Sequence, residues 1–209
     1  MSNKFSERLT VENAVLAMID HQTGLMVSRR DQDPHLTKAN IRGLCKTAAT
    51  VGLPSVITAS MPDGPNGPIM SDITEILGND VINRPGEINA WDNPEFKRAI
   101  EITGRKKIIM AGVVTDVCLM FPAISAVAEG YDVYAVVDAS GTWNKGVQEV
   151  SLHRMTQAGV KVCTWASVLA EIMHDWRSEK GLELGGVLGE HTSYSWVYES
   201  FLAANSHQV

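Results

Sequence analysis

A chain of 209 residues, 44% hydrophobic and 20% charged, has the make-up of one globular domain with room for a large core. Its net charge of −6 is interspersed, with no lysine or arginine stripe to mark a nucleic-acid or anionic-membrane partner. The opening residues lack an apolar leader, and no stretch approaches the roughly 18 apolar residues of a membrane span, so a cytoplasmic protein is expected.

Residues 14–19 (AVLAMI) form a continuous apolar run that stops abruptly at Asp20-His21-Gln22-Thr23-Gly24, the pattern of a strand buried on both faces. Pro34 then opens a helix with apolar positions at Leu36, Ile41, Leu44, Cys45, Ala48 and Val51, and Gly52 closes it. A second strand is predicted over 55–59, followed by the turn-rich loop Met61-Pro62-Asp63-Gly64-Pro65-Asn66-Gly67-Pro68. A short helix over 72–77 leads to a third strand near Val81 and Ile82, and Pro94 starts a helix that runs to Ile100. Residues 107–114 (KIIMAGVV) read as a fourth strand, 116–130 as a helix, 132–137 as a fifth strand. The alternation ends with a helix over 147–158, a strand over 160–165 and a helix over 166–176.

Alternating helices and continuous apolar strands predict an α/β fold: a three-layer α/β/α sandwich around a six-stranded, mostly parallel, Rossmann-like sheet. Residues 1–180 form one domain in this reading. Residues 181–209 fall outside it as a C-terminal arm whose Tyr194, Trp196, Tyr198 and Phe201 need cover. Either the arm folds back on its own domain or it packs on a neighbour; we assign it to a subunit interface.

Ligands bind beyond the carboxyl ends of such strands. That rule singles out Asp20, Ser60, Arg84, the segment 115–118 and Asp138. The three cysteines, Cys45, Cys118 and Cys163, are too widely spaced for a disulfide framework or a Cys-x-x-Cys zinc site. Cys45 lies on an apolar helical face and Cys163 within a strand, both structural positions. Cys118 falls in the first turn of its helix if Thr115 is the N-cap, where the helix dipole lowers a thiol pKa. Pro122 cannot donate to the Cys118 carbonyl, so the helical ladder is broken there. Buried cysteine as a small hydrophobe is the plain alternative. Asp20, at the end of an apolar strand, is placed to exchange protons near neutrality or merely to shape a turn. Arg84 is a permanent cation near the same strand ends. His21 reads as a loop residue. Asn89, Trp91 and Trp143 are candidate pocket walls.

These positions carry a resemblance. The strand ending Asp20-His21-Gln22, the segment Gly112-Val113-Val114-Thr115-Asp116-Val117-Cys118 and Val137-Asp138-Ala139 resemble the isochorismatase-like cysteine hydrolases over residues 10–176. Gly64-Pro65-Asn66-Gly67-Pro68, Ile88-Asn89-Ala90-Trp91-Asp92-Asn93 and Phe121-Pro122-Ala123 bring the chain closest to the YcaC-type subgroup. The resemblance implies a catalytic triad of Asp20, Arg84 and Cys118, with arginine where the family has lysine. It implies a non-proline cis peptide at Val113–Val114 and an oxyanion hole from the amides of Val114 and Cys118. It also implies a homo-oligomer, with an octamer of stacked rings as the candidate assembly. The Asp-x-His element of metal-dependent relatives is missing from Thr58-Ala59-Ser60-Met61-Pro62-Asp63, so no metal and no cofactor are expected.

The activity expected is hydrolysis of carbon–nitrogen bonds in small amide-type molecules through a covalent thioester. Two alternatives stand beside it: non-covalent ether hydrolysis led by Asp20, and an idle binding or scaffold protein on the same fold. There is no Gly-x-Gly-x-x-Gly after the first strand, no phosphate loop and no Gly-x-Ser-x-Gly elbow, so other α/β activities fit worse and a nucleotide enzyme is not expected.

Overall fold

The computed structural model describes residues 7–206. Six strands, β1 (Ala14–Ile19), β2 (Ser55–Ser60), β3 (Val81–Arg84), β4 (Lys107–Gly112), β5 (Asp132–Val136) and β6 (Lys161–Cys163), form one sheet in the order β3-β2-β1-β4-β5-β6. Every pairing is parallel. The helices are α1 (Thr23–Met26), α2 (Pro34–Val51), α3 (Ser71–Leu77), α4 (Pro94–Glu101), α5 (Met120–Ala128), α6 (Lys145–Gln157) and α7 (Trp165–Met173). Two more, α8 (Gly181–His191) and α9 (Tyr194–Asn205), make up the arm.

Side chains alternate across the pleat, so each strand feeds two cores. Leu16 and Met18 of β1 and Ile109 of β4 meet Ile41, Leu44 and Cys45 of α2 and Trp165 and Leu169 of α7 on one face. On the other, Val15, Ala17, Ile19, Ile108 and Met110 meet Phe96 and Ile100 of α4, Ala123 and Ala126 of α5 and Met155 of α6. This double burial is why the strands read as unbroken apolar runs. Local chemistry sets the helix ends. The Asp33 carboxylate accepts from the Leu36 amide at 2.9 Å ahead of Pro34, and Gly52 closes α2 at φ 66°, a conformation that spares glycine the usual clash.

The strand order reverses between β1 and β4. From β1 the chain moves outward to β2 and β3, then returns to lay β4 along the other side of β1, with Ile19 opposite Gly112. A crevice therefore opens beyond the ends of β1 and β4. Some predicted ends shift: β4 stops at Gly112, and β6 covers only Lys161–Cys163. Arg84, expected after β3, is that strand's last residue, paired with Ser60.

Candidate active site

Asp20 is the first residue past β1. Its amide donates to the Thr58 carbonyl at 2.9 Å, its φ is 57°, and its side chain is fully buried. The left-handed conformation, which aspartate tolerates better than most residues, turns the chain sharply off the sheet. Arg84 reaches the same point from two strands away. Its Nε donates to Thr58 Oγ1 at 3.1 Å, its Nη1 to the carbonyls of Glu87 and Ile88, and its Nη2 to Asp20 Oδ1. The ion pair is wholly buried on both sides. Burial raises the Asp20 carboxyl above the ordinary range, and the charge and hydrogen bond of Arg84 oppose that rise.

Cys118 adjoins the same carboxylate and interacts with it, although no well-formed hydrogen bond reaches Oδ2. The nucleophile candidate arrives on a turn of unusual geometry. Residues Thr115–Leu119 are π-helical, and the Met120 amide donates to the Thr115 carbonyl five residues back. Pro122 offers no amide to the Cys118 carbonyl, so the chain has no reason to hold the tighter α ladder here. Thr115 is not the N-cap: that place falls to Val114, no side chain caps the turn, and Thr115 Oγ1 is buried without a partner. Gly112 lets this turn press onto β4. A Cβ there would lie 3.0 Å from the Leu119 nitrogen and 3.1 Å from the Cys118 carbonyl.

One expectation about the sulfur needs correction. Cys118 is 8% exposed and belongs to the core on the α5 side. Its thiol is pushed up, not down, by burial first and by the Asp20 carboxylate second, against a weaker pull from the Val114 amide and Arg84. A positive helix end cannot prevail where water is excluded and an anion is adjacent. Cys45 and Cys163 are also raised, each to about 12, by burial.

The Val113–Val114 peptide is cis. The Val114 N–H is directed at the Cys118 sulfur. The Cys118 N–H, expected beside it in an oxyanion hole, instead donates to the Val114 carbonyl at 2.8 Å. That carbonyl also takes the amides of Val117 and Leu119.

The wall residues separate. Trp91 is buried and meets Phe96 and Tyr131 edge-on, at 6.3 and 5.4 Å between ring centroids, so it is core packing and not a pocket wall. Asn89 accepts from the Trp91 amide and donates to Ser125 Oγ at 3.1 Å, lining a surface groove with Ile88, Phe121 and Ile124. Trp143 is 43% exposed, two residues beyond the Gly141 bridge to Val113. Among the described residues, no group of three or more His, Cys, Asp or Glu side chains is placed to hold a metal ion, and no helix is long and apolar enough to cross a membrane.

Sequence reasoning missed the braces. Gln22 clamps the end of β2, accepting from the Ser60 amide and donating to the Ser60 carbonyl, each at 3.0 Å. His21 is no loop residue: it is fully buried, bonded to the Ala139 carbonyl at 2.8 Å, and burial pushes its pKa down to about 4. An unfolded chain protonates this histidine near 6.5, whereas the folded one resists down to about 4. Its contribution is therefore full above the higher value and lost as pH falls toward the lower, by about 2 kcal/mol between about pH 7 and 5. Urea titrations of wild type and His21→Gln should show that the variant lacks this part of the slope; identical slopes would remove the assignment.

Gly141 is a second brace. Its carbonyl accepts the Thr115 amide at 3.0 Å, and it bridges Val113. A Cβ there would fall 2.6 Å from Arg29 Cδ and 3.3 Å from Asp31 Oδ1. Arg29 cannot retreat freely, because its guanidinium donates to Thr37 Oγ1 at 2.8 Å and to the Met26 carbonyl at 3.2 Å. Gly141→Ala should displace the 113–115 segment and lower kcat by about 10- to 100-fold, with KM moving less. Kinetics alongside thermal melts check this; unchanged kcat would show that the segment is held some other way.

An isochorismatase domain model matches residues 14–167, most of the described chain and all the residues just discussed. This chain belongs to the isochorismatase family. Within the family it is 43% identical over 173 residues to the probable hydrolase YcaC of Escherichia coli, covering 82% of this chain and 83% of that one. The solved YcaC of Pseudomonas aeruginosa, described with hexane-2,5-diol and covalent acrylamide, superposes with a TM-score of 0.90 at 43% identity. That match covers 94% of this chain and 98% of the other. The Escherichia coli YcaC structure, described as an octameric hydrolase of unknown specificity, also reaches 0.90, at 40% identity over 94% and 97% of the two chains. The chain is thus an isochorismatase-family hydrolase of the YcaC kind, with the α/β fold its sequence predicts.

Proposed function

We propose that the chain hydrolyses carbon–nitrogen bonds of small amide-type molecules, with Cys118 as nucleophile and Asp20 as proton shuttle. The observation that carries the reading is the convergence of Cys118 on the buried Asp20–Arg84 pair at the reversal of strand order. In the resting site the thiol keeps its proton and Asp20, paired with Arg84, is ready to receive it. As the sulfur closes on the substrate carbonyl, the S–H proton passes to Asp20 and the new S–C bond drives charge onto the carbonyl oxygen. The Val114 N–H is the donor available to that oxygen, and the Cys118 N–H joins it once its bond to the Val114 carbonyl is shared. The C–N bond then breaks while Asp20 returns its proton to the leaving nitrogen. Water, losing a proton to the same carboxylate, splits the thioester, releases the acid and restores the thiol. Arg84 never exchanges a proton; it fixes and balances Asp20.

The covalent acrylamide described in the Pseudomonas aeruginosa relative supports a site that admits a small amide. One observation favours a second reading. A thiol raised by burial is a poor resting nucleophile, which suits non-covalent hydrolysis with Asp20 activating water. Intact-mass spectra after rapid acid quench, across a panel of small amides, separate the two. An adduct of acyl mass on wild type, absent from Cys118→Ala, is expected. Turnover with no adduct at any quench time, kept by the alanine variant, would transfer the role to water.

We also infer a homo-oligomer, an octamer by analogy with the Escherichia coli relative, with the 181–209 arm at a subunit interface. In that arm α8 packs Leu184 and Val187 into the core of its own domain, so α9 is the part that reaches a neighbour, and residues 207–209 lie outside the described residues.

A further inference from the structure

The arm carries a groove and projections of matching chemistry. Between α8 and α9 lies an apolar groove of about 500 Å³, with Gly185, Gly186 and Gly189 along it and Trp176, Tyr194 and Tyr198 around it. Trp176 stacks on Tyr194, centroids 5.5 Å apart and planes within 9°, which holds one side of the groove in place. A Cβ on Gly186 would meet nothing within 4 Å, so the groove is open there. No residue of α9 is buried; Trp196 is 68% exposed and Phe201 60%. Neither ring lines the groove of its own chain. Across α8 and α9 the acidic residues are Glu183, Glu190 and Glu199, of which Glu183 pairs with Lys180 and Glu190 with Lys46. A face with its apolar rings exposed and most of its charge paired suits another apolar surface.

We propose that this groove receives Trp196, with Phe201 beside it, from a second copy of the chain in a reciprocal two-fold contact. Each copy then offers one set of rings and accepts another, as an isologous interface requires. The same exchange buries the exposed rings and fills the groove, which neither copy can do alone. Aromatic anchors seated in apolar pockets are the usual centres of binding energy. The inference rests on the homo-oligomer reading above and adds to it the surface and the pairing.

Two substitutions block opposite halves. Gly186→Leu fills the groove, and because its Cβ meets open space and leucine favours helix over glycine, the fold should survive. The double variant Trp196→Ala/Phe201→Ala removes the projections from an exposed face. Sedimentation velocity of the full chain should show wild type as an oligomer and each variant as a smaller species with an unchanged thermal midpoint for its subunit. Mixing the two variants restores one of the two reciprocal contacts, so a species heavier than either alone is expected. If wild type is oligomeric and both variants keep its mass, the pairing is wrong while the oligomer stands. A monomeric wild type overturns the oligomer reading and this inference together.

Discussion

Cys118→Ala is expected to cut turnover of any amide substrate by about 10³-fold or more while leaving the thermal midpoint nearly unchanged. The fold should tolerate the change because the sulfur fills little space beside Val114 and Asp20, and Thr115–Leu119 is shaped by its backbone and Pro122. Generic alkylation gives a second readout. Since burial and Asp20 raise the thiol, 4-vinylpyridine, an alkylating agent with no amide group, should label Cys118 slowly near neutral pH, no faster than ordinary thiols. An electrophile that is itself a small amide, such as acrylamide, should react faster at Cys118 than at Cys45 or Cys163, because binding aligns it and Asp20 takes the proton. Asp20→Asn should remove that advantage, slowing acrylamide addition by about 10²-fold or more. Equal acrylamide rates at all three cysteines would indicate a merely packed sulfur.

The contrast between what was legible and what was not follows the range of the forces involved. Continuous runs such as 14–19 and 107–112 announce strands buried on both faces, and Pro34, Gly52 and Pro94 mark helix ends through local backbone chemistry. The crevice residues Asp20 and Cys118 were legible because they stand where apolar strands stop. The sign of the thiol shift was not, since it depends on how much water the assembled fold excludes. Nor was the use of the Cys118 amide, which is decided by the π-helical register after Val114. His21, Gln22 and Gly141 were hidden for a similar reason: their partners Ala139, Ser60 and Arg29 lie far away in sequence. Trp91 looked like a wall because an aromatic in a turn carries no mark of which side its ring will face. Tyr131 and Phe96 claim it for the core.

Asp20→Asn should destabilise the protein more than any other conservative change in the site. It removes the ion-paired carboxylate from a guanidinium that is fully buried and cannot shed its charge. Breaking such a pair costs about 3–5 kcal/mol, or roughly 6–20 °C in thermal midpoint for a chain of this size. Arg84→Met leaves the opposite orphan, a carboxylate, and that orphan has an escape. Burial already raises the Asp20 pKa, and without Arg84 the group takes a proton and becomes neutral. Arg84→Met should therefore cost less stability near neutral pH than Asp20→Asn. Its activity should nevertheless fall steeply, because a protonated Asp20 cannot receive the thiol proton, and should recover partly as pH rises and that carboxyl ionises. The double variant Asp20→Asn/Arg84→Met removes both charges of the pair and should regain stability over Asp20→Asn alone, an energetic coupling read directly from a double-mutant cycle. Arg84→Lys tests the family's usual residue: it retains the cation, but one ammonium cannot match the fork that now serves Asp20, Thr58, Glu87 and Ile88 together. If the double variant is no more stable than Asp20→Asn, the two side chains are not energetically linked, and the charge that holds the proposed base must come from elsewhere.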